Sequence, residues 1–192
     1  MTSNKRFYRT DKDECFNINI EKNVTDRDIY RLLIKIDEGY SATSAEREML
    51  ASIISVSWNN ISKLPNSIDM LTSLITLHLA HNKNLSDISP LKDMFSLREL
   101  NLGDTAVEDI SALSGLTELT YLDLFYTNVN NINPLADLTK ITSLGLSGNK
   151  RLRDIDILSR LTSLRFLGLG RTDVSDINAL NGLKNLSHLV LS

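Results

Sequence analysis

Few side chains in this sequence are placed to do covalent or metal chemistry. Its three histidines are His78, His81 and His188, and the first two stand near enough in sequence to act with Asp104. Two imidazoles and a carboxylate could hold a metal ion or pass a proton. No third ligand follows at a metal-binding spacing, so a polar surface feature is the simpler reading. No metal, cofactor or catalytic residue is assigned. The motifs G-x-x-x-x-G-K-[ST], G-x-S-x-G, H-E-x-x-H and C-x-x-C are all missing. The one cysteine, Cys15, has no companion for a disulfide or a thiolate site, which fits a reducing compartment. A different chemistry stands in LTELTYLDLFYTNVNNINPLADL, residues 116–138, where Tyr121, Asp123, Phe125 and Tyr126 cluster. Aromatic and arginine side chains carry most of the energy at protein interfaces. With Phe166, Arg171, Glu99 and Asp104 they form a candidate partner-binding set, provided the fold brings them to one surface.

The elements that would do so belong to a repeat. The pattern L-x-x-L-x-L-x-x-N/T falls into register at Leu74, Leu97, Leu119, Ile141, Leu164 and Leu186, in steps of 23, 22, 22, 23 and 22 residues. Later positions agree as well, through Asp87-Ile88, Asp109-Ile110, Asn131-Ile132, Asp154-Ile155 and Asp176-Ile177. A looser copy precedes them, with Ile54, Val56, Asn59, Ile61 and Leu64 at the matching places and Trp58 at its eighth position. A period of about 20–29 residues with this leucine spacing is the signature of leucine-rich repeats. The form N/T-x-V-x-D-I-x-P-L-x-x-L resembles the internalin-type bacterial repeats and the related phosphatase-regulator type, over residues 51–192. LPNSIDMLTSL, residues 64–74, resembles instead the L-P-x-x-I form of plant and bacterial effector repeats. The resemblance implies a curved solenoid that binds protein partners and carries no catalytic chemistry.

Alternation in L-x-L predicts short parallel strands with leucines inward and the intervening residues outward. No copy can bury its leucines alone, so copies stack around one core. The fold class is therefore an α/β repeat: a curved solenoid with a parallel concave sheet. The ninth position, Asn59, Asn82, Thr105, Thr127, Asn149 and Thr172, places a side-chain amide or hydroxyl where the turn leaves backbone groups unpaired. Positions 3, 5, 7, 8 and 10 are expected to line the concave sheet and its rim, and five of the eight glycines fall there. Tyr121, Phe125 and Tyr126 are expected as a ridge beside a floor of Gly145, Ser147, Gly148, Gly168 and Gly170, with Phe166 and Arg171 as the far wall. Two readings of the ridge stay open. It binds a partner's side chain, with Glu99, Asp104 and Asp123 as an acidic flank, or the aromatics only pack on one another and on Glu99.

The ends differ in character. Residues 1–23 are polar and charged and are expected to be loosely ordered, with a short extended piece at residues 16–20. Residues 24–50 form a short N-terminal helical cap. Thr25 and Asp28 make one capping box, Ile29, Leu32, Leu33 and Ile36 follow at helical spacing, and Gly39 stands at a left-handed stop. A second helix starts at Thr43 and Glu46. Residues 51–192 are the array, whose final copy stops just after its strand. That ending fits a piece of a longer protein, or self-association through the uncapped C-terminal edge.

A net charge of -3 offers no basic patch for nucleic acid, and no run approaches ~18 apolar residues. The expectation is a soluble protein without membrane insertion, cytoplasmic or exported as an effector without a signal peptide. Its expected role is a protein-protein interaction module. The alternatives are a structural or oligomerising scaffold within a larger protein, or a sensing region attached to an enzyme domain outside this chain.

Overall fold

The structure, a computed structural model, describes residues 24–192. The expectations for residues 1–23, including the extended piece and Cys15, lie outside the described residues. Two helices, α1 (Asp26–Asp37) and α2 (Ser44–Ser52), lead into seven strands of three residues each. These are β1 (Ser55–Ser57), β2 (Thr76–His78), β3 (Glu99–Asn101), β4 (Tyr121–Asp123), β5 (Ser143–Gly145), β6 (Phe166–Gly168) and β7 (His188–Val190). They form one open parallel sheet in sequence order. Each chain return passes through a single 3-10 turn, as at Ser89–Asp93 and Asn133–Leu135. Close strand spacing on one side and bulkier turns on the other give the solenoid its curve.

Register is uniform. Val56, Leu77, Leu100, Leu122, Leu144, Leu167 and Leu189 lie side by side along the sheet. All but the last are buried in one core, together with the leucines of the 3-10 turns such as Leu91, Leu113 and Leu135. The Asp/Asn before each turn isoleucine has a local task. Its Oδ1 accepts the amide two residues on, as at Asp87–Ser89, Asp109–Ser111 and Asp154–Asp156. That Asx bond starts the 3-10 turn and explains the recurring acidic residue without any function.

The first copy needs a correction. Ser55 pairs with Thr76 and Val56 with Leu77, so the register is displaced by two residues from the sequence alignment. Trp58 thus stands at position 6, in the buried leucine column, and Ile61 at position 9, while Ile54 and Asn59 are exposed. The Trp58 indole N–H donates to the Asp26 carbonyl at 2.8 Å, and its ring meets Tyr30 edge-on at 5.3 Å. It is a packing residue between the array and the helices.

Both helices carry the capping boxes read from sequence, Thr25 with Asp28 and Thr43 with Glu46, and Gly39 has φ +102°. Helix α2 runs to Ser52, two residues beyond the boundary set at residue 50. Helix α1 closes the first copy through named bonds. The Ser57 amide donates to Asp26 Oδ2 at 2.8 Å, and the Asn66 and Ser67 amides donate to the Asp37 carboxylate at 2.6 and 2.9 Å. Among the described residues no helix is long and apolar enough to cross a membrane.

Candidate functional site

In-register pairing sets Tyr121 beside Ser143 and Ser143 beside Phe166, with Asp123, Gly145 and Gly168 forming the next row. Tyr121, Phe125 and Phe166 are 37%, 45% and 39% exposed, unusual for large apolar side chains that have a core available. They wall a hollow of about 350 Å³ on the outer face of the sheet. Asp123, Ser143, Gly145, Ser147 and Gly168 line its base, and Val190 closes the side towards β7. Ser143 and Val190 were not among the site residues expected from sequence. Their columns pointed there, since they occupy positions 3 and 5 of their copies.

The glycines make room for neighbouring side chains. A Cβ on Gly145 would fall 2.5 Å from Asp123 Oδ1, and one on Gly168 would fall 2.9 Å from Ser147 Oγ. The Asp123 carboxylate therefore leans across β5 instead of standing upright at the ridge. Two glycines expected in the floor lie elsewhere. Gly148, at φ +87°, lies under the Tyr126 ring, where a Cβ would approach Cγ to 2.7 Å. Gly170 lies against the backbone of Ser192.

Tyr126 and Arg171 do not line this hollow. The eighth residue of each copy is left-handed: Asn60, His81, Asp104, Tyr126, Gly148 and Arg171 all have φ between 50° and 87°. That twist ends the strand alternation and turns the side chain out to the rim. Asn60, Asp104 and Gly148 are the types that tolerate this conformation, which was the available signal in the sequence. Tyr126 packs edge-on against Phe125 at 4.3 Å. The Arg171 guanidinium lies 5.9 Å from the Tyr126 ring centre, and its Nη1 donates to the Tyr126 hydroxyl. Together with Lys150, Thr172 and Asp173 they border a separate depression.

The acidic residues also divide. Glu99 is in register with Tyr121 and accepts from Thr76 Oγ1 at 3.3 Å. Asp104 is engaged at the rim with His81 Nδ1 at 3.1 Å and Lys83 Nζ at 3.7 Å. Exposed pairs of this kind contribute little to stability. His78 lies beside Asn101 and His188 beside Phe166, so the histidines are spread along the sheet. Among the described residues no three His, Cys, Asp or Glu side chains gather as a metal site.

Burial pushes the Asp123 carboxyl above its ordinary value, against a smaller opposing effect of the Phe125 amide, which donates to Oδ1 at 2.9 Å. Burial, then the charges of Asp123 and Glu99, likewise raise the Tyr121 phenol. Because the folded state favours protonated Asp123, this group's contribution to stability is complete below the unfolded carboxylate pKa. It is lost as pH rises through the folded value. Asp123→Asn is accordingly expected to match or exceed the parent in denaturant melts near pH ~7, with the difference vanishing near pH ~3. A variant less stable than the parent only at neutral pH would mean the charged form is held favourably.

Comparison with known proteins follows from this geometry. Residues 96–140 match the family described as Leucine Rich repeats (2 copies). No curated protein sequence matches the chain. Among solved structures, an internalin from Listeria monocytogenes is similar at 34% identity and a TM-score of 0.73, covering 84% of this chain and 48% of that one. A leucine-rich-repeat protein of Leptospira interrogans is similar at 24% identity and 0.71, covering 79% and 40%. The plant peptide hormone receptor RGFR1, in complex with RGF2, is similar at 22% and 0.63, covering 76% and 26%. The last two share the fold alone. The chain spans about half the length of the internalin, at 48%, and less of the others.

Proposed function

We propose that this internalin-like leucine-rich-repeat chain is an interaction module that docks a protein partner on the sheet face over β4–β6. Arrays of this fold commonly serve as protein-binding surfaces. The plant peptide hormone receptor that shares the fold is in complex with RGF2. The observation that carries the reading is the hollow itself. Tyr121, Phe125 and Phe166 stay partly exposed around a recessed base while the leucines of β4, β5 and β6 are buried. Tyr126 and Arg171, on the rim beside Phe125, extend the docking area, with Asp123 and Glu99 as its acidic side and Asp104 at the rim beyond.

Peptides selected from a random display library on the intact chain provide the ligand for the test. Tyr121→Ala, Phe125→Ala or Phe166→Ala is expected to weaken the selected peptides by about thirtyfold, the equivalent of ~2 kcal/mol for a central aromatic. Stability of each variant should stay within ~1 kcal/mol of the parent, because these side chains add little to the core. Variants that unfold easily while the peptides still bind at full strength would return the aromatics to the scaffold.

A further inference from the structure

The base of the hollow says what kind of side chain it suits. Asp123 Oδ1, which leans over Gly145, accepts the Phe125 amide and keeps a second lone pair, whereas Oδ2, on the Gly103 side, accepts from no protein donor among the described residues. No lysine, arginine or histidine lines the hollow, whose walls are three aromatic rings. Arg171, on the rim, is turned onto Tyr126. An apolar occupant would cover a carboxylate oxygen without giving it a partner, and an anion would be repelled by Asp123 and Glu99. A cation on an apolar stem suits both parts, since its charge meets the carboxylate and the ring faces attract it.

We propose that the hollow between β4 and β6 receives a basic side chain, arginine or lysine, from the partner, with its cation on Asp123 and its stem between Tyr121, Phe125 and Phe166. This rests on the docking of a protein partner over the same strands. Displacing water from an already half-buried carboxylate is less costly when a cation replaces it, so the site is prepared for charge before the ligand arrives. The raised value of Asp123 agrees with a carboxylate that lacks a cationic partner in the free protein. Tyr121, on its own strand, feels the charges of both Asp123 and Glu99; on β3 the uncharged Asn101 stands in register beside Asp123, and β5 and β6 contribute only serine, glycine, leucine and phenylalanine.

The test uses the full chain, nitrogen-labelled, titrated with a capped Gly-Arg-Gly tripeptide and with the same tripeptide carrying citrulline, the neutral isostere of arginine. A Gly-Lys-Gly probe forms the third arm. Saturable amide shifts at Gly145, Ser147 and Gly168 are expected with arginine and lysine. Citrulline should bind at least about tenfold more weakly, as should arginine to Asp123→Asn, given the usual strength of charge-assisted bonds. Arginine affinity should also fall between pH ~7 and pH ~4 as Asp123 takes up its proton. Equal binding of citrulline and arginine, or shifts confined to other regions, would overturn the proposal. The two readings separate in the display-selected peptides. If those lose affinity in Phe125→Ala but not in Asp123→Asn, protein docking stands and the basic side chain does not.

Discussion

A chain beginning at residue 53 is expected to aggregate, or to melt without the cooperative transition of the whole protein. Helices α1 and α2 bury Ile29, Leu32, Leu33 and Leu50 against the first copy, and their loss would expose the other half of that contact, Trp58 and Ile68 among it. Each such side chain contributes about 1.5–3 kcal/mol when fully buried. Several together compare with the whole ~5–15 kcal/mol stability of an ordinary domain. Polar losses add to this. Ser57, Asn66 and Ser67 would give up amide bonds to Asp26 and Asp37, leaving β1 as a bare edge strand that invites pairing with another molecule. Size-exclusion chromatography and thermal melts by circular dichroism read both effects. A monodisperse product that melts as sharply as the full chain would mean the helices are an appendage and not a cap. Leu33→Ala in the full chain gives a milder version, expected to cost about 2–5 kcal/mol, with the sheet face over β4–β6 left intact.

How much of this was legible in the sequence follows from how local each determinant is. The leucine period could be read because every copy must fill the same buried columns. The capping boxes could be read because Thr25 with Asp28 and Thr43 with Glu46 act within one helical turn. The first copy was misplaced for a physical reason. A shift of two residues preserves strand alternation, so Ile54 with Val56 and Val56 with Trp58 satisfy the inward pattern equally well. Only contact with α1 and the pairing to β2 distinguish them. The site was partly legible in the same sense. Its columns were right for Tyr121, Phe125 and Phe166, whereas the left-handed eighth position sent Tyr126 and Arg171 to the rim. That Asp123 leans over Gly145, turning a supposed empty floor into an occupied one, depends on side-chain direction that spacing does not encode.

Asn149→Ala is expected to be the most damaging single substitution among the ninth-position residues. The Asn149 side chain is fully buried and uses all its capacity. Oδ1 accepts the Val129 amide at 3.0 Å and the Thr127 hydroxyl at 2.8 Å, while Nδ2 donates to the Leu124 and Leu146 carbonyls at 2.8 Å each. Three of those partners belong to the preceding copy, so the amide ties two repeats together. Truncation strands the Val129 amide, at roughly 1–3 kcal/mol for a buried group left unpaired, and leaves the Leu146 carbonyl only the long 3.4 Å bond from the backbone amide of residue 149. Asn82→Ala should follow, since its amide serves the Ile61 amide and the Trp58 and Leu79 carbonyls. Thr127→Val should cost least, about 1 kcal/mol, because its single hydroxyl proton serves either the Leu124 carbonyl or Asn149 Oδ1, and each of these keeps another donor. Urea melts of the three variants give the order directly. If Asn149→Ala were no worse than Thr127→Val, water would have to reach the stranded groups. The copies would then be joined by their leucines alone, and the amide ladder would have no part in holding them in register.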